Sequence, residues 1–224
     1  MTRPALSTLD ALWQAVLPSY TPEEQKAAIV LLRELSKGEP VAAADLAGAL
    51  NLPTGEVARG LAGSALRPFV YTGADGRIAG FWGLSTKPTH HRFTIGERTL
   101  WTWCAEDSLF LPELLGETAR VESSDPETGE PVRLTISPTR IERAEPEGIA
   151  VSMVGADTAD FTSAARIIAT ACHYIFFFAD PASGERWVAA HRQTTLVSLE
   201  DAFALARRQN ARLFGQELER RSRT

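Results

Sequence analysis

The chain is poor in cysteine, with Cys104 and Cys172 as the two thiols among its 224 residues. Two cysteines are too few for the disulfide framework of a small secreted protein, and too few for a zinc site made of thiolates alone. Long apolar stretches are also missing, since the longest run covers residues 174–179 and a membrane helix needs about 20 apolar residues. Residues 1–10 contain no apolar signal-peptide core. We therefore expect a cytoplasmic protein without membrane association, in which both thiols stay reduced.

Neither sign of charge dominates the sequence, which has 23 basic and 28 acidic side chains and a formal net charge of −5. A strongly basic surface that would bind nucleic acid or an anionic membrane is therefore not expected. Hydrophobic residues make up 44% of the chain and charged residues 23%, which excludes the disordered and fibrous classes. The length suits one or two globular domains, each with a core of its own.

Residues 1–86 carry helical patterns that end in a hairpin. Thr21 is followed by Pro22 at the first helical position and by Glu24 three residues after the cap, which predicts a capping box. The predicted elements are a helix over 8–16, a helix that begins after Thr21, helices over 41–50 and 54–61, and a hairpin of strands 69–71 and 78–82. Helix, turn, helix and hairpin in this order are the pattern of a winged helix.

A winged helix would serve either as a DNA reader or as a structural module. Recognition helices collect several Lys, Arg, Asn or Gln side chains for phosphates and base edges. The second helix of this pair offers Arg59 and Glu56 instead. This composition favours the structural interpretation, so residues 1–86 are predicted to form a winged-helix-like N-terminal domain that does not bind DNA.

Residues 87–224 mix strands and helices without a regular alternation. The predicted strands cover 91–95, 119–123, 132–137, 149–154 and 174–179, and the predicted helices cover 100–115, 159–171, 187–190 and a final segment that begins at the Ser198 cap. This order favours an α+β fold, in which the helical N-terminal module precedes a largely antiparallel β-sheet core with flanking helices.

Two cysteines and one aspartate are the candidates for chemistry. If 100–115 is helical, Asp107 lies three residues after Cys104 on the same helix face, where a thiol and a carboxylate can exchange a proton. The dipole at a helix N-terminus would also favour a thiolate. Cys172 falls at a predicted helix-to-strand junction. From these residues alone, two inert core thiols are the favoured interpretation, because free cysteine is among the most buried residue types.

A series of motifs in the second half follows one order along the chain. Residues 103–112 read WCAEDSLFLP, and 116–121 read GETARV. They are followed by LTISP at 134–138 and GIAVS at 148–152, and Cys172 then precedes the sequence FFA. Together these motifs resemble the active-site region of the organomercurial lyases (alkylmercury lyases), with a similarity that spans about residues 92–214. The winged-helix pattern of the N-terminal half also fits the architecture of that family.

The resemblance implies a reaction and gives roles to three side chains. Cys104 and Cys172 would be the thiolates that bind the mercury of an organomercurial, which suits a soft cation with few preferred ligands. Asp107 would act as a general acid–base and is a further candidate ligand of the metal. The carbon–mercury bond would break by protonolysis, giving a hydrocarbon and Hg(II), and residues 87–224 would form the catalytic domain.

The resemblance also implies that no organic cofactor is needed, since mercury arrives with the substrate. Small thiols or a mercuric reductase would accept the Hg(II) product. Two departures from the family pattern concern the surroundings of the site: no cysteine stands near residues 123–125, and His173 follows Cys172 where some members have a second cysteine.

Aromatic and histidine side chains give weaker signals. Trp103 and His173 are candidate residues of the substrate pocket, whereas Trp101 and the aromatic run 176–178 would serve either the pocket or the core. The pair His90–His91 is expected to be a solvated part of a linker. The acidic stretch 142–147 is expected to be a solvated turn.

Two other functions stay open at the level of sequence. One is a non-enzymatic thiol metal binder or mercury-responsive regulator that uses the winged helix, and salt-dependent DNA binding would favour it. The other is a divergent relative of the lyases that no longer acts on mercury. Hydrocarbon release from an organomercurial would favour the lyase.

Overall fold

The computed structural model describes residues 6–155 and 158–223. The helices in these ranges are α1 (Leu6–Val16), α2 (Pro22–Leu35), α3 (Ala43–Leu50), α4 (Thr54–Gly63), α5 (Ala105–Leu115), α6 (Ala164–Thr170), α7 (Pro181–Ala190) and α8 (Leu199–Ser222). None of these described helices has the length and apolar character needed to cross a membrane.

The strands form two sheets. They are β1 (Val70–Thr72), β2 (Ile78–Phe81), β3 (Leu84–Ser85), β4 (His91–Ile95), β5 (Arg98–Thr102), β6 (Ala119–Ser124), β7 (Pro131–Ile136), β8 (Ile141–Glu145), β9 (Ala150–Val154), β10 (Phe177–Phe178) and β11 (Thr194–Ser198). The larger sheet has the order β1-β2-β3-β5-β4-β6-β7-β8 and the smaller one β10-β9-β11. Every pairing is antiparallel, which confirms the predicted α+β class.

The N-terminal helices and hairpin follow the predicted order. Thr21 caps α2, and the reciprocal bonds between Thr21 and Glu24 confirm the capping box. Val41, just before α3, forms an isolated bridge with Ile78 of β2. The larger sheet continues through the predicted domain boundary, because β3 pairs with β5. The division at residues 86 and 87 itself stays a prediction.

The helix predicted over 100–115 is wrong in its first part. Residues up to Thr102 belong to β5, which pairs with β4 across a turn at Gly96, and α5 begins only at Ala105. The run from Thr99 to Thr102 is β-branched and aromatic, so cross-strand pairing outweighs its weak helical pattern. Cys104 is therefore the N-cap of α5 rather than a residue within its first turns.

Several other boundaries also differ from the prediction. In place of the strand predicted over 174–179, the chain forms a 3₁₀ turn, Cys172–Tyr174, and then the short β10. The helix predicted over 159–171 is shorter and corresponds to α6, whereas the helix predicted over 187–190 is longer and corresponds to α7. The acidic stretch 142–147 is not a solvated turn, because most of it lies in β8, an edge strand paired with β7. A polar edge strand gives little hydrophobic alternation in sequence. The prediction also lacked β11, whose buried residues Leu196 and Val197 are adjacent and therefore give no alternation.

Asp125 ties the larger sheet to the segment that follows Cys172. Its carboxylate is 1% exposed and accepts hydrogen bonds from the Ala179 amide at 2.9 Å and from the Ser183 hydroxyl. It also accepts hydrogen bonds from the backbone amides of Glu127 and Thr128 in its own turn. A buried carboxylate with this many donors fixes the position of the chain after β10.

We expect Asp125→Ala to lower the free energy of unfolding by about 3 kcal/mol, because it leaves buried donors without their acceptor. Urea denaturation followed by circular dichroism measures this change. Glu130→Ala, at an exposed position of the same turn, is the matched control and should change stability by less than about 0.5 kcal/mol. Equal stability of the two variants would contradict the structural role of Asp125.

Candidate active site

The N-terminus of α5 positions the first thiol and the carboxyl group. Cys104 is the N-cap, and its backbone amide donates to Oδ2 of Asp107, the third residue of the helix, at 2.8 Å. The hydroxyl of Thr102 donates to the Cys104 carbonyl at 2.8 Å, which fixes the chain where β5 ends. The predicted closeness of Cys104 and Asp107 therefore holds, but it comes from a helix cap and not from a shared helix face.

Cys172 reaches the same place from a different part of the chain. It opens the 3₁₀ turn after α6, and the residues that follow run beside the start of α5, where the Ala105 amide donates to the Ile175 carbonyl at 3.1 Å. Ser152 on β9 holds this segment by donating to the Tyr174 carbonyl at 2.7 Å and accepting from the Phe176 amide at 2.9 Å. The second thiol thus lies opposite the first.

The two sulfur atoms and a carboxylate oxygen converge in the interior. The Sγ atoms of Cys104 and Cys172 and an oxygen of Asp107 all lie within 4.8 Å of one another. The three residues are 2%, 6% and 8% exposed, respectively. Both cysteines are free thiols. Two soft donors and one hard donor at this spacing can bind one soft metal ion and hold a proton beside it.

The thiols are held in the protonated form. Burial raises the pKa of the Cys104 thiol well above its usual range, and its hydrogen bond with Cys172 and the charge of Asp107 act in the same direction. The pKa of Cys172 is raised as well: its hydrogen bond with Cys104 lowers it, but burial and the nearby carboxylates outweigh that effect. A thiol here loses its proton when a metal ion replaces it.

The carboxyl groups at the site titrate near neutrality. Burial raises the pKa of Asp107 to about 7, although the side chain and amide of Cys104 both stabilise the carboxylate by hydrogen bonding. Burial also raises the pKa of Glu106 to about 8, with the charge of Asp107 adding to the effect and a hydrogen bond from Gln209 opposing it. A carboxyl with a pKa near 7 can both accept and donate a proton at physiological pH.

The walls of the cavity around these groups are mainly apolar. The lining side chains are Trp13, Leu17, Phe69, Trp82, Trp103, Phe110, Phe161, Ile167 and Ile175, together with Glu106 and Gln209. Four of them, Trp13, Leu17, Phe69 and Trp82, lie within residues 1–86. The N-terminal part of the chain therefore supplies a wall of the site that holds Cys104 and Cys172.

A tight turn between β2 and β3 closes one side of the cavity. Trp82 and Gly83 are its two central residues, and both have positive φ angles, of 46° and 84°. A Cβ atom at position 83 would lie 2.3 Å from Cγ of Asp107, so only glycine fits beside the carboxyl group. The prediction placed Trp82 in a strand, whereas the positive φ turns its ring towards Phe69 and the cavity.

The structure brings together most of the predicted site residues. Cys104, Asp107, Cys172 and Trp103 share the cavity. His173 does not line it: the side chain is exposed and packs edge-on against Tyr174, because the 3₁₀ turn points consecutive side chains in different directions. Trp101 is half-buried outside the cavity lining.

The remaining aromatic and histidine residues belong to the packing. Phe176 packs against His90 and Trp187 away from the site. His91 is not solvated as expected, because it is 1% exposed and its Nδ1 lies 2.9 Å from Oγ of Ser123. Burial lowers the pKa of His91 to about 3. Within residues 6–155 and 158–223, no histidine joins the cluster of Cys104, Asp107 and Cys172.

Sequence reasoning missed Glu106, Gly83 and Gln209 as site residues. Glu106 stands between Cys104 and Asp107, and its position in the first turn of α5 is the signal that could have found it. Gln209 is more than a hundred residues away on α8, and Gly83 acts through the close approach of its backbone. Neither carries a local signal in the sequence.

Comparisons with known proteins identify relatives of the chain. The alkylmercury lyase family model matches residues 84–210. An alkylmercury lyase from Staphylococcus epidermidis is 35% identical over 182 residues, which are 81% of this chain and 80% of that protein. One from Bacillus cereus is 38% identical over 178 residues, or 79% and 77% of the two chains.

A solved structure shares the fold. The crystal structure of the mercury-bound form of MerB2 superposes with a TM-score of 0.72 at 23% identity, and the match covers 90% of this chain and 96% of that one. A family match over more than half of the sequence, with relatives more than one third identical over about four fifths of it, establishes that the chain belongs to the alkylmercury lyase family.

Proposed function

We propose that Cys104, Cys172 and Asp107 carry the reaction of this enzyme, an organomercurial lyase that cleaves the carbon–mercury bond of its substrate by protonolysis. The observation that supports these roles is the convergence of two buried sulfur atoms and one carboxylate within 4.8 Å. The family membership gives the substrate class, and the geometry supports the task that we assign to each side chain.

The first step is capture of the metal. The Cys104 thiol exchanges with the ligand X of a mercurial R–Hg–X, so that a sulfur–mercury bond forms, the Hg–X bond breaks and the thiol proton leaves with X. The raised pKa keeps the free thiol protonated until this exchange. Mercury(II) competes for this sulfur because soft thiolates are its preferred protein ligands.

The second step breaks the carbon–mercury bond. Asp107, as a carboxylate, takes the proton of the Cys172 thiol, and the resulting thiolate donates its electron pair to mercury. Asp107 then delivers the proton to the carbon, which keeps the electron pair of the carbon–mercury bond and leaves as R–H. The products are a hydrocarbon, an Hg(II) ion held by two sulfur atoms, and Asp107 again as carboxylate.

Product release returns the protons. Two external thiols, either small molecules or the thiols of a mercuric reductase, exchange with the two cysteines. Each external thiol gives its proton to one cysteine sulfur and replaces that sulfur as a ligand of mercury. No organic cofactor enters these steps. Such thiols are abundant in the cytoplasm, which is the compartment that we propose for the enzyme.

The N-terminal part serves the same site in this proposal. The winged-helix-like arrangement of α2 to β2, together with the turn that follows β2, is a structural module in this proposal, because it supplies Phe69 and Trp82 to the cavity wall. The regulator and the non-enzymatic metal binder are not favoured, since the family is one of enzymes.

Cys104→Ser and Cys172→Ser should each abolish hydrocarbon release. With phenylmercuric acetate and excess thiol, gas chromatography should detect no benzene above the uncatalysed background. The remaining thiol can still exchange onto mercury, so mass spectrometry should find an intact phenylmercury adduct on each variant. Benzene formation at the wild-type rate by either variant would contradict the two-thiolate mechanism.

Asp107→Asn should bind mercury but turn over slowly. The side-chain amide oxygen of the variant can still accept the hydrogen bond from the Cys104 backbone amide. The side chain can no longer carry a proton, so we expect a loss of about 10²- to 10⁴-fold in kcat. Retention of Hg(II) after gel filtration, measured by atomic absorption, should match the wild type. An unchanged kcat would remove Asp107 from the proton-transfer step.

The rate of the second step should rise with pH through about 7. The pKa of Asp107 is raised to about 7, so its carboxylate, which must accept the thiol proton, forms only as the pH passes that value. Single-turnover benzene release from a preformed phenylmercury adduct should be roughly tenfold slower at pH 6 than on the alkaline plateau. A rate that falls through pH 7 would mean that Asp107 starts the reaction protonated.

A further inference from the structure

The cavity has polar groups that the proposed reaction does not use. Glu106 and Gln209 line the same space as Cys104, Asp107 and Cys172, and the rest of the wall is aromatic or aliphatic. A buried carboxyl group in such a wall costs free energy unless it has hydrogen-bond partners. Packing alone would be served better by an apolar side chain of similar size at position 106.

The Glu106 carboxyl group has capacity left for a ligand. It is 6% exposed, and Gln209 Nε2 donates to its Oε1 at 3.2 Å. Within residues 6–155 and 158–223, this is the one hydrogen bond to the Glu106 side chain. The second oxygen of this carboxyl group has no hydrogen-bond partner among these residues, so it can exchange a hydrogen bond with a group inside the cavity, as an acceptor when ionised and as a donor when protonated.

The position of Glu106 and Gln209 relative to the two sulfur atoms indicates which part of the substrate they would contact. Mercury bound by Cys104 and Cys172 fills the region of the two sulfur atoms, and the organic group bonded to it must occupy the remaining cavity. Glu106 belongs to the first turn of α5, next to Asp107, and Gln209 lies on α8, which packs against α5. The pair therefore forms the polar part of the wall that surrounds the organic group.

We propose that Glu106 and Gln209 form a subsite that exchanges a hydrogen bond with a polar substituent on the organic group, such as an aromatic amine or hydroxyl. This inference rests on the proposed function, because it places the organic group of a mercurial in this cavity. An anionic substituent is disfavoured there, since Asp107 already puts negative charge on the same wall.

Two mercurials that differ by one amino group test the subsite. Phenylmercuric acetate and 4-aminophenylmercuric acetate release benzene and aniline, respectively, and their kcat/KM values with excess thiol give a ratio for each variant. The amino group also changes the intrinsic reactivity of the bond, but this effect cancels when variant and wild-type ratios are compared.

Glu106→Leu should lower the aminophenyl-to-phenyl ratio about 3- to 10-fold, which corresponds to the loss of one hydrogen bond. Gln209→Leu should lower it in the same direction, because it releases the carboxyl group from its position. Glu106→Gln should keep most of the ratio, since the amide oxygen still accepts a hydrogen bond. Glu200→Leu, at an exposed position in the first turn of α8, is the matched control and should leave the ratio unchanged.

An unchanged ratio in Glu106→Leu, or an equal loss on both substrates, would overturn the subsite, and the equal loss would show that Glu106 acts only through Asp107. If Glu106→Leu does not fold, the ratio in Gln209→Leu decides in the same way. Failure of the proposed function is distinguishable, because the wild-type enzyme would then release neither benzene nor aniline.

Discussion

The hydrogen bond from the Cys104 amide to the Asp107 carboxylate is the interaction on which the site depends. It caps α5 and, in the same contact, sets the distance between the Cys104 sulfur and the carboxyl group for which we propose the proton transfer. The turn at Gly83 holds the carboxyl group from the other side, because no side chain fits there. The proposed catalytic pair is thus positioned by ordinary helix-capping chemistry.

Burial gives these groups their reactivity. The same exclusion of water that keeps the thiols protonated brings the pKa of Asp107 close to neutrality, which suits the proton transfers that we propose. That exclusion depends on both halves of the chain, since Trp82 comes from the N-terminal part and Gln209 from the last helix. The site is therefore a property of the complete fold.

The sequence predicted the parts of this site that are local or that carry a motif. Cys104 and Asp107 are three residues apart, so any cap or helix brings them together, and the resemblance to known lyases identified Cys172. The start of α5 was predicted wrongly because pairing with β4 decides the structure of residues 98–102. The contact between Glu106 and Gln209 could not be predicted, since it depends on how α5 packs against α8. The placement of His173 outside the cavity likewise follows from the 3₁₀ turn.

At the cap position of Cys104, the stability of the fold and the proposed activity favour different residues. Serine is among the preferred N-cap residues, and a good cap contributes about 1 kcal/mol to a helix. A thiol at this position is the weaker choice for the helix and the necessary one for a soft metal. A screen of variants for thermal stability alone would therefore be expected to select against the residue that we propose as a mercury ligand. Engineering of this fold needs a selection for turnover at the same time.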